Sequence, residues 1–226
     1  MLHLPWTDSI VTVVDFEGNQ QSGVLEYGLV TLRKGKVIQT QTRLCRPTGT
    51  IRPEDSAVHG LTLAETSQAE PFASCWEIFC EAREQGPLAA HFASTENGLL
   101  KQTWPYPRHS PDFFGLGEMV SEWGPWIDTG KMIPALFTNI TSAKLEILLA
   151  AFQLQDALDE LAATHCPAGR AHYHCALYDA LASAVLLLHL ETYAEFRGRS
   201  LPWLLEYSAP ERLRRKGVFR QRMLFS

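Results

Sequence analysis

The chain has 226 residues, with 20 Lys and Arg against 25 Asp and Glu, a formal charge of −5. At 46% hydrophobic and 20% charged residues, it has the composition of one large globular domain, or of one domain with appendages. That excludes a disordered, collagen-like or disulfide-dense chain, and a protein that coats nucleic acid through bulk positive charge.

Ile10–Phe16 is an almost continuous β-rich apolar run, the pattern of a central strand covered on both faces. Val24–Leu32 and Val37–Leu44 are further strand candidates joined by the turn Arg33-Lys34-Gly35-Lys36. Together the three predict an antiparallel meander. Pro47–Gly60 reads as a loop. Thr62-Leu63-Ala64-Glu65 fits a capping box. Pro71 suits the first position of a helix whose Phe72, Cys75, Trp76 and Phe79 share one face. Pro87–Phe92 reads as a short buried strand and Glu96–Gln102 as a helix. From Trp104 to Trp126, Pro105, Pro107, Pro111 and Pro125 break up an aromatic-rich segment, which reads as a long irregular insertion. Trp126–Thr129 is a strand end. Lys144–Phe152, Leu154–Thr164 and Ala176–Phe196 carry helical periodicity. This order predicts an α/β chain with a mixed sheet. The longest near-apolar run, Ala180–Leu190, is too short to span a bilayer, so no membrane partner is expected.

Two segments carry chemistry. In Val13-Val14-Asp15-Phe16-Glu17-Gly18, two acids two residues apart end a hydrophobic strand and point to the same side. Acids in such a place need a partner or a cation, and hard oxygen ligands suit Mg²⁺ or Mn²⁺. A solvated strand end is the competing reading. In the second segment, His174 precedes Asp179 by five residues, and Asp179 falls in the first turns of a long apolar helix. The pair therefore reads as a loop histidine beside a helix-entry acid, although a plain capping acid explains Asp179 equally.

In order and spacing these motifs resemble the DEDDh (DnaQ-like) 3′→5′ exonucleases. Asp15 and Glu17 match the family's first motif, and His174 with Asp179 its third. His59-Gly60 matches the His-Gly segment near the terminal nucleotide. Cys175 stands where the family's tyrosine branch has Tyr, which favours the histidine branch. The resemblance covers roughly residues 9–195 and implies an RNase H-like fold, in which the antiparallel meander is followed by parallel strands flanked by helices. The second motif departs from the pattern: in His91-Phe92-Ala93-Ser94-Thr95-Glu96, Glu96 replaces the usual Asp and Phe92 the usual Asn.

The resemblance implies two-metal phosphodiester hydrolysis of DNA or RNA with release of nucleoside 5′-monophosphates. Two Mg²⁺ or Mn²⁺ ions would be held by Asp15, Glu17 and Asp179, with Glu96 acting on the metals and His174 as general base. Phe16, Gly18, His59, Gly60 and His91 would contact the substrate, although Phe16 also reads as plain core. The implied partner is a nucleic acid with a free 3′ end, and a polymerase or a second copy is a further candidate. The alternative is a domain that keeps the fold but binds without turnover, because of Glu96.

Other features remain. Cys45, Cys75, Cys80, Cys166 and Cys175 are scattered and odd in number, which suggests free thiols. With no secretory pattern at the start, a cytoplasmic location is expected. His165, Cys166, His172, His174 and Cys175 form a cluster conceivable for zinc, though at no standard spacing. Arg197–Ser226 holds eight Lys or Arg against two Glu, so it is read as a basic extension to a domain of residues 1–196, suited to nucleic-acid backbone or to a solvated face with a docking helix through Trp203, Leu204, Leu205 and Tyr207.

Overall fold

The computed structural model describes residues 4–114 and 118–209. Strands β1 (Val11–Asn19), β2 (Gly23–Arg33) and β3 (Lys36–Leu44) form the expected meander. β4 (Leu88–Ala90) and β7 (Trp126–Asp128) add parallel to it, after a crossover for each, and a two-residue hairpin of β5 (Ser110–Pro111) with β6 (Met119–Val120) lies apart. The main sheet has the order β3-β2-β1-β4-β7. This is the mixed RNase H-like sheet that the motifs imply.

Alternation along β1 divides the core in two. Val11 and Val13 face one layer, in which α8 (Ala176–His189) is the central helix. Every residue from Ala176 to Leu187 is buried, as for a helix apolar all round. Around it pack α5 (Thr129–Leu136), α6 (Leu145–Ala151), α7 (Gln155–His165) and α9 (Leu201–Ser208). Val14 and Phe16 face the other layer, with α3 (Trp76–Gln85) and α4 (Ser94–Thr103). There Phe16 packs against Phe72 and Phe79 at 5.3 and 5.6 Å between ring centroids. A contact between the Phe16 side chain and substrate is thereby corrected: the ring lies in the core, on the face opposite Asp15 and Glu17.

Several boundaries differ from the sequence reading, for local reasons. The loop assigned to Pro47–Gly60 contains α1 (Pro53–His59), started by a proline in its first turn with Glu54 and Asp55 and stopped by left-handed Gly60. Thr62 and Glu65 do form the capping box, on α2 (Leu63–Thr66). Pro71 precedes a 3₁₀ turn, Phe72–Cys75, so α3 starts later, at Trp76. The long C-terminal helix ends at His189 and tightens into 3₁₀ geometry over Leu190–Thr192.

The aromatic insertion packs on its own domain. Trp123 is fully buried and donates to the Trp104 carbonyl at 2.9 Å. The buried guanidinium of Arg83 donates to the carbonyls of Pro111, Glu122 and Gly124 at 2.9, 3.1 and 2.7 Å. Nor is all of the 197–226 segment an appendage. Helix α9 packs on α5 and β7, with Leu204 and Leu205 in the core and Ser208 Oγ accepting from the Asp128 N–H. The Arg-rich stretch from Arg212 to Arg222 lies outside the described residues. Among those residues no helix is long and apolar enough to cross a membrane.

One backbone contact sets the height of α8. Asp15 pairs with Gly28 across β1 and β2, and any side chain at Gly28 would collide with the Ala176 carbonyl and the Leu177 backbone. Gly28→Ala should therefore cost about 1–3 kcal/mol in denaturant unfolding. Gly98→Ala is the control, in open space within α4. It should be neutral, or stabilising by up to about 1 kcal/mol.

Candidate active site

The site lies where β1 ends and α4 and α8 begin. Asp15 and Glu17 extend the Val11–Val13 face of β1 toward α8. The bulge between Glu17 and Gly18 comes only after both acids, so their alternation is intact. Gly18 has a φ of 118°, and a side chain there would collide with the Gly23 carbonyl. Its visible role is to make the bulge. Glu96 lies in the first turn of α4 and Asp179 in the first turn of α8. Asp179 is caught there by the His174 N–H, which donates to Oδ2 at 2.9 Å across a left-handed His174 backbone (φ 63°). The His174 side chain is exposed.

Three of these residues converge. One ligand atom each from Glu17, His174 and Asp179 lie within 4.8 Å of one another. This is the only such metal-ligating group among the described residues, so the His/Cys cluster around Cys166 and Cys175 does not assemble a zinc site there. Burial pushes the Asp15 carboxyl well above its ordinary range, and the charges of Asp179, Glu17, Glu96 and Glu26 push it further. Glu17 is raised to about 8 by burial and then by Asp179 and Glu26, with Arg170 opposing. Glu96 is raised to about 8, mainly by burial. Asp179 is raised to about 7 by burial, against the hydrogen bond from His174.

Two of these carboxylates keep a buried oxygen with no hydrogen-bond partner, Oδ1 of Asp179 and Oε2 of Glu96. A buried anion with an empty lone pair is costly, and a cation removes the cost. The donors are hard oxygens in a group of like charges, so the residues present fit Mg²⁺ or Mn²⁺.

The expected substrate residues divide. His59 is buried at the end of α1; its Nδ1 accepts from the Leu61 N–H at 3.0 Å, and its Nε2 is unpartnered. Its carbonyl accepts from Arg170 Nη1 at 3.1 Å, and Arg170 pairs with Glu26, which lies opposite Glu17, so the His59-Gly60 turn lies beside the site. His91 has both ring nitrogens engaged, by Thr129 Oγ1 at 3.0 Å and by the Ala143 carbonyl at 2.6 Å. The structure thus gives His91 a bracing role within the fold. Asp128, a buried acid at the end of β7, caps α5, accepts the Phe92 N–H at 3.1 Å and pairs with Lys131 at 2.8 Å.

Sequence reasoning missed Glu26 and Arg170. Glu26 is 3% exposed in β2, directly opposite Glu17, and accepts from the Ala176 N–H at 3.0 Å. Arg170 donates to it through Nε at 3.3 Å and pairs with it through Nη2. The signal was an acid inside an otherwise apolar strand, Val24–Leu32.

No family model matches the chain, and no curated protein matches it in sequence. Solved structures do. The chain is similar to exonuclease X in complex with 5′-overhanging duplex DNA, at a TM-score of 0.61 and 20% identity over 86% of this chain and 99% of that one. It is similar also to the nuclease domain of 3′hExo, a DEDDh family member bound to rAMP, at 0.61 and 14% over 85% and 96%. For exonuclease I the values are 0.62 and 14%, over 88% of this chain and 43% of the other. The chain therefore has the fold of the DEDDh exonucleases, within the RNase H-like class.

The raised carboxyls make a testable link to stability. A carboxyl raised in the fold holds its proton where the unfolded chain has lost it, so stability falls as pH rises from about 4.5 to about 8. Metal-free protein should lose Tm between pH 6.5 and 8.5, above the range where the buried His59 and His91 titrate. Saturating Mn²⁺ should raise Tm more at pH 8.5 than at pH 6.5. Calorimetric scans at the two pH values check this, and an equal or reversed Mn²⁺ increment would contradict it.

Proposed function

We propose that the protein is a divalent-metal-dependent 3′→5′ exonuclease that releases nucleoside 5′-monophosphates from a nucleic acid with a free 3′ end. The observation that carries the reading is the convergence of Glu17, His174 and Asp179 within 4.8 Å, inside the field that also raises Asp15. The fold supports it, since it is shared with exonuclease X in complex with 5′-overhanging duplex DNA and with a 3′-exonuclease that recognises a histone mRNA stem-loop.

Asp15, Glu17 and Asp179 would hold the divalent cations, with the buried Glu96 completing the group of acids. When bound, such cations neutralise the scissile phosphate and make water a better nucleophile. The chain's own residues do the rest. The exposed imidazole of His174, held by its backbone to Asp179, accepts a proton from the attacking water. The water oxygen bonds to phosphorus as the P–O3′ bond breaks, and the departing 3′-oxygen takes a proton from solvent, so the shortened strand keeps a 3′-hydroxyl. The His59-Gly60 turn, tied to Arg170 through the His59 carbonyl, would meet the terminal nucleotide. Glu96 in place of Asp is compatible with turnover. It is 4% exposed, and its buried Oε2 has no hydrogen-bond partner, so a carboxylate is kept at this position for a cation or its water to meet.

The test is release of monophosphates from 3′-labelled DNA and RNA oligomers, with Mg²⁺ or Mn²⁺ and with chelator. Release should require the metal. His174→Ala should lower kcat by about 10²–10⁴-fold with circular dichroism unchanged. Asp15→Asn should abolish release, and Glu96→Gln should remove most of it. Full activity in Asp15→Asn would overturn the assignment. An unchanged rate in Glu96→Gln would place Glu96 outside the machinery.

A further inference from the structure

Arg170 is the one arginine that reaches into the acid group among the described residues, and its guanidinium is used in three directions. Nε and Nη2 pair with the Glu26 carboxylate of β2, while Nη1 donates to the His59 carbonyl at 3.1 Å, at the end of α1. Gly60 lies against the same Nη1. Glu26 in turn accepts from the N–H of Ala176, which opens α8 two residues after His174. One partly buried ion pair thus ties together the His59-Gly60 turn, the strand opposite Glu17 and the His174 segment. A pair withdrawn from water seldom adds stability over apolar packing, which points to a use in fixing geometry. It also fixes charge. The field of Arg170 reaches Glu17, yet its fork is spent on Glu26.

We propose that Arg170 is a positioning residue: through Glu26 it sets the spacing between the terminal-nucleotide turn and His174, and the Glu26 carboxylate offsets its charge beside the metal-holding acids. The proposal deepens the nuclease reading and rests on it for the roles of those two segments. It makes opposed predictions for the two partners. In Glu26→Gln, Arg170 is released toward Glu17 and competes with a cation. In Arg170→Gln, Glu26 is left as an extra unpaired acid beside the group.

The experiment uses the full chain in four forms: wild type, Glu26→Gln, Arg170→Gln and the double variant. Calorimetric titration with Mn²⁺ should show affinity weakened about three- to tenfold in Glu26→Gln, tightened in Arg170→Gln, and within about twofold of wild type in the double variant. Amide exchange needs no metal. In Arg170→Gln, exchange at Gly60–Thr62 should rise by about tenfold or more, while Val13–Asp15 in β1 stays protected and reports an intact fold. Unchanged exchange at Gly60–Thr62, or shifts in Mn²⁺ affinity of the same sign in both single variants, would overturn the proposal. Failure of the wild type to release nucleotides, with the exchange response present, would instead bring down the nuclease reading alone.

Discussion

Like charges gathered in a low-dielectric place repel, and the molecule is arranged around that cost. Asp15, Glu17, Glu96, Asp179 and Glu26 meet at the end of a hydrophobic sheet, and burial is the leading reason the carboxyls of the first four resist ionisation. Only Glu26 has a full protein answer, in Arg170 and the Ala176 N–H. The others have at most partial partners, and two keep a buried oxygen bare. Packing alone gives no reason to bury four acids in this way. A cation does, because it turns their mutual repulsion into shared ligation.

The fold supplies the convergence by backbone means. Alternation carries the acids of β1 onto the α8 face while Phe16 anchors the opposite one. Gly28 has no side chain to hold α8 away, so the first turn of that helix comes down over the strand pair that carries Asp15. The left-handed turn at His174 lets its N–H reach Asp179 while its ring stays in solvent. Each device is local, but each is useful only because the others deliver their acid to the same point.

Much of this was legible in the sequence, and the reason differs from residue to residue. Asp15 and Glu17 were readable because a strand has period two, so an acid pair two apart shares a face. Asp179 was readable as a charge at the entry of a helix otherwise apolar all round. The helix Pro53–His59 was not, because seven residues without an apolar stripe look like loop until the Gly60 stop is seen in place. Arg170 and Glu26 were the least visible. They are 144 positions apart, and neither sits in a pattern that names the other. Pairings of that kind are decided by topology, here by the approach of α8 to β2. Phe16 shows the converse: its motif position suggested a substrate contact, but the alternation that aims Asp15 and Glu17 at the site must turn Phe16 away from it.

The net charge takes a different meaning in this light. A formal −5 argues against a surface that attracts nucleic acid from a distance over the whole protein. Yet a good share of the acid is concentrated in one group, where bound cations would invert the local field. A phosphate approaching such a site is drawn by short-range ligation, not by a wide basic face. The cost of the buried acids and the grip on substrate are then two sides of one arrangement. On the proposed reading, whatever repulsion the fold tolerates without metal would become affinity for metal, and through metal for phosphate. On this view Arg170 has to be paired with Glu26: a free arginine at that point would neutralise the acids, and so weaken the hold on the cations that the rest of the site is built to keep.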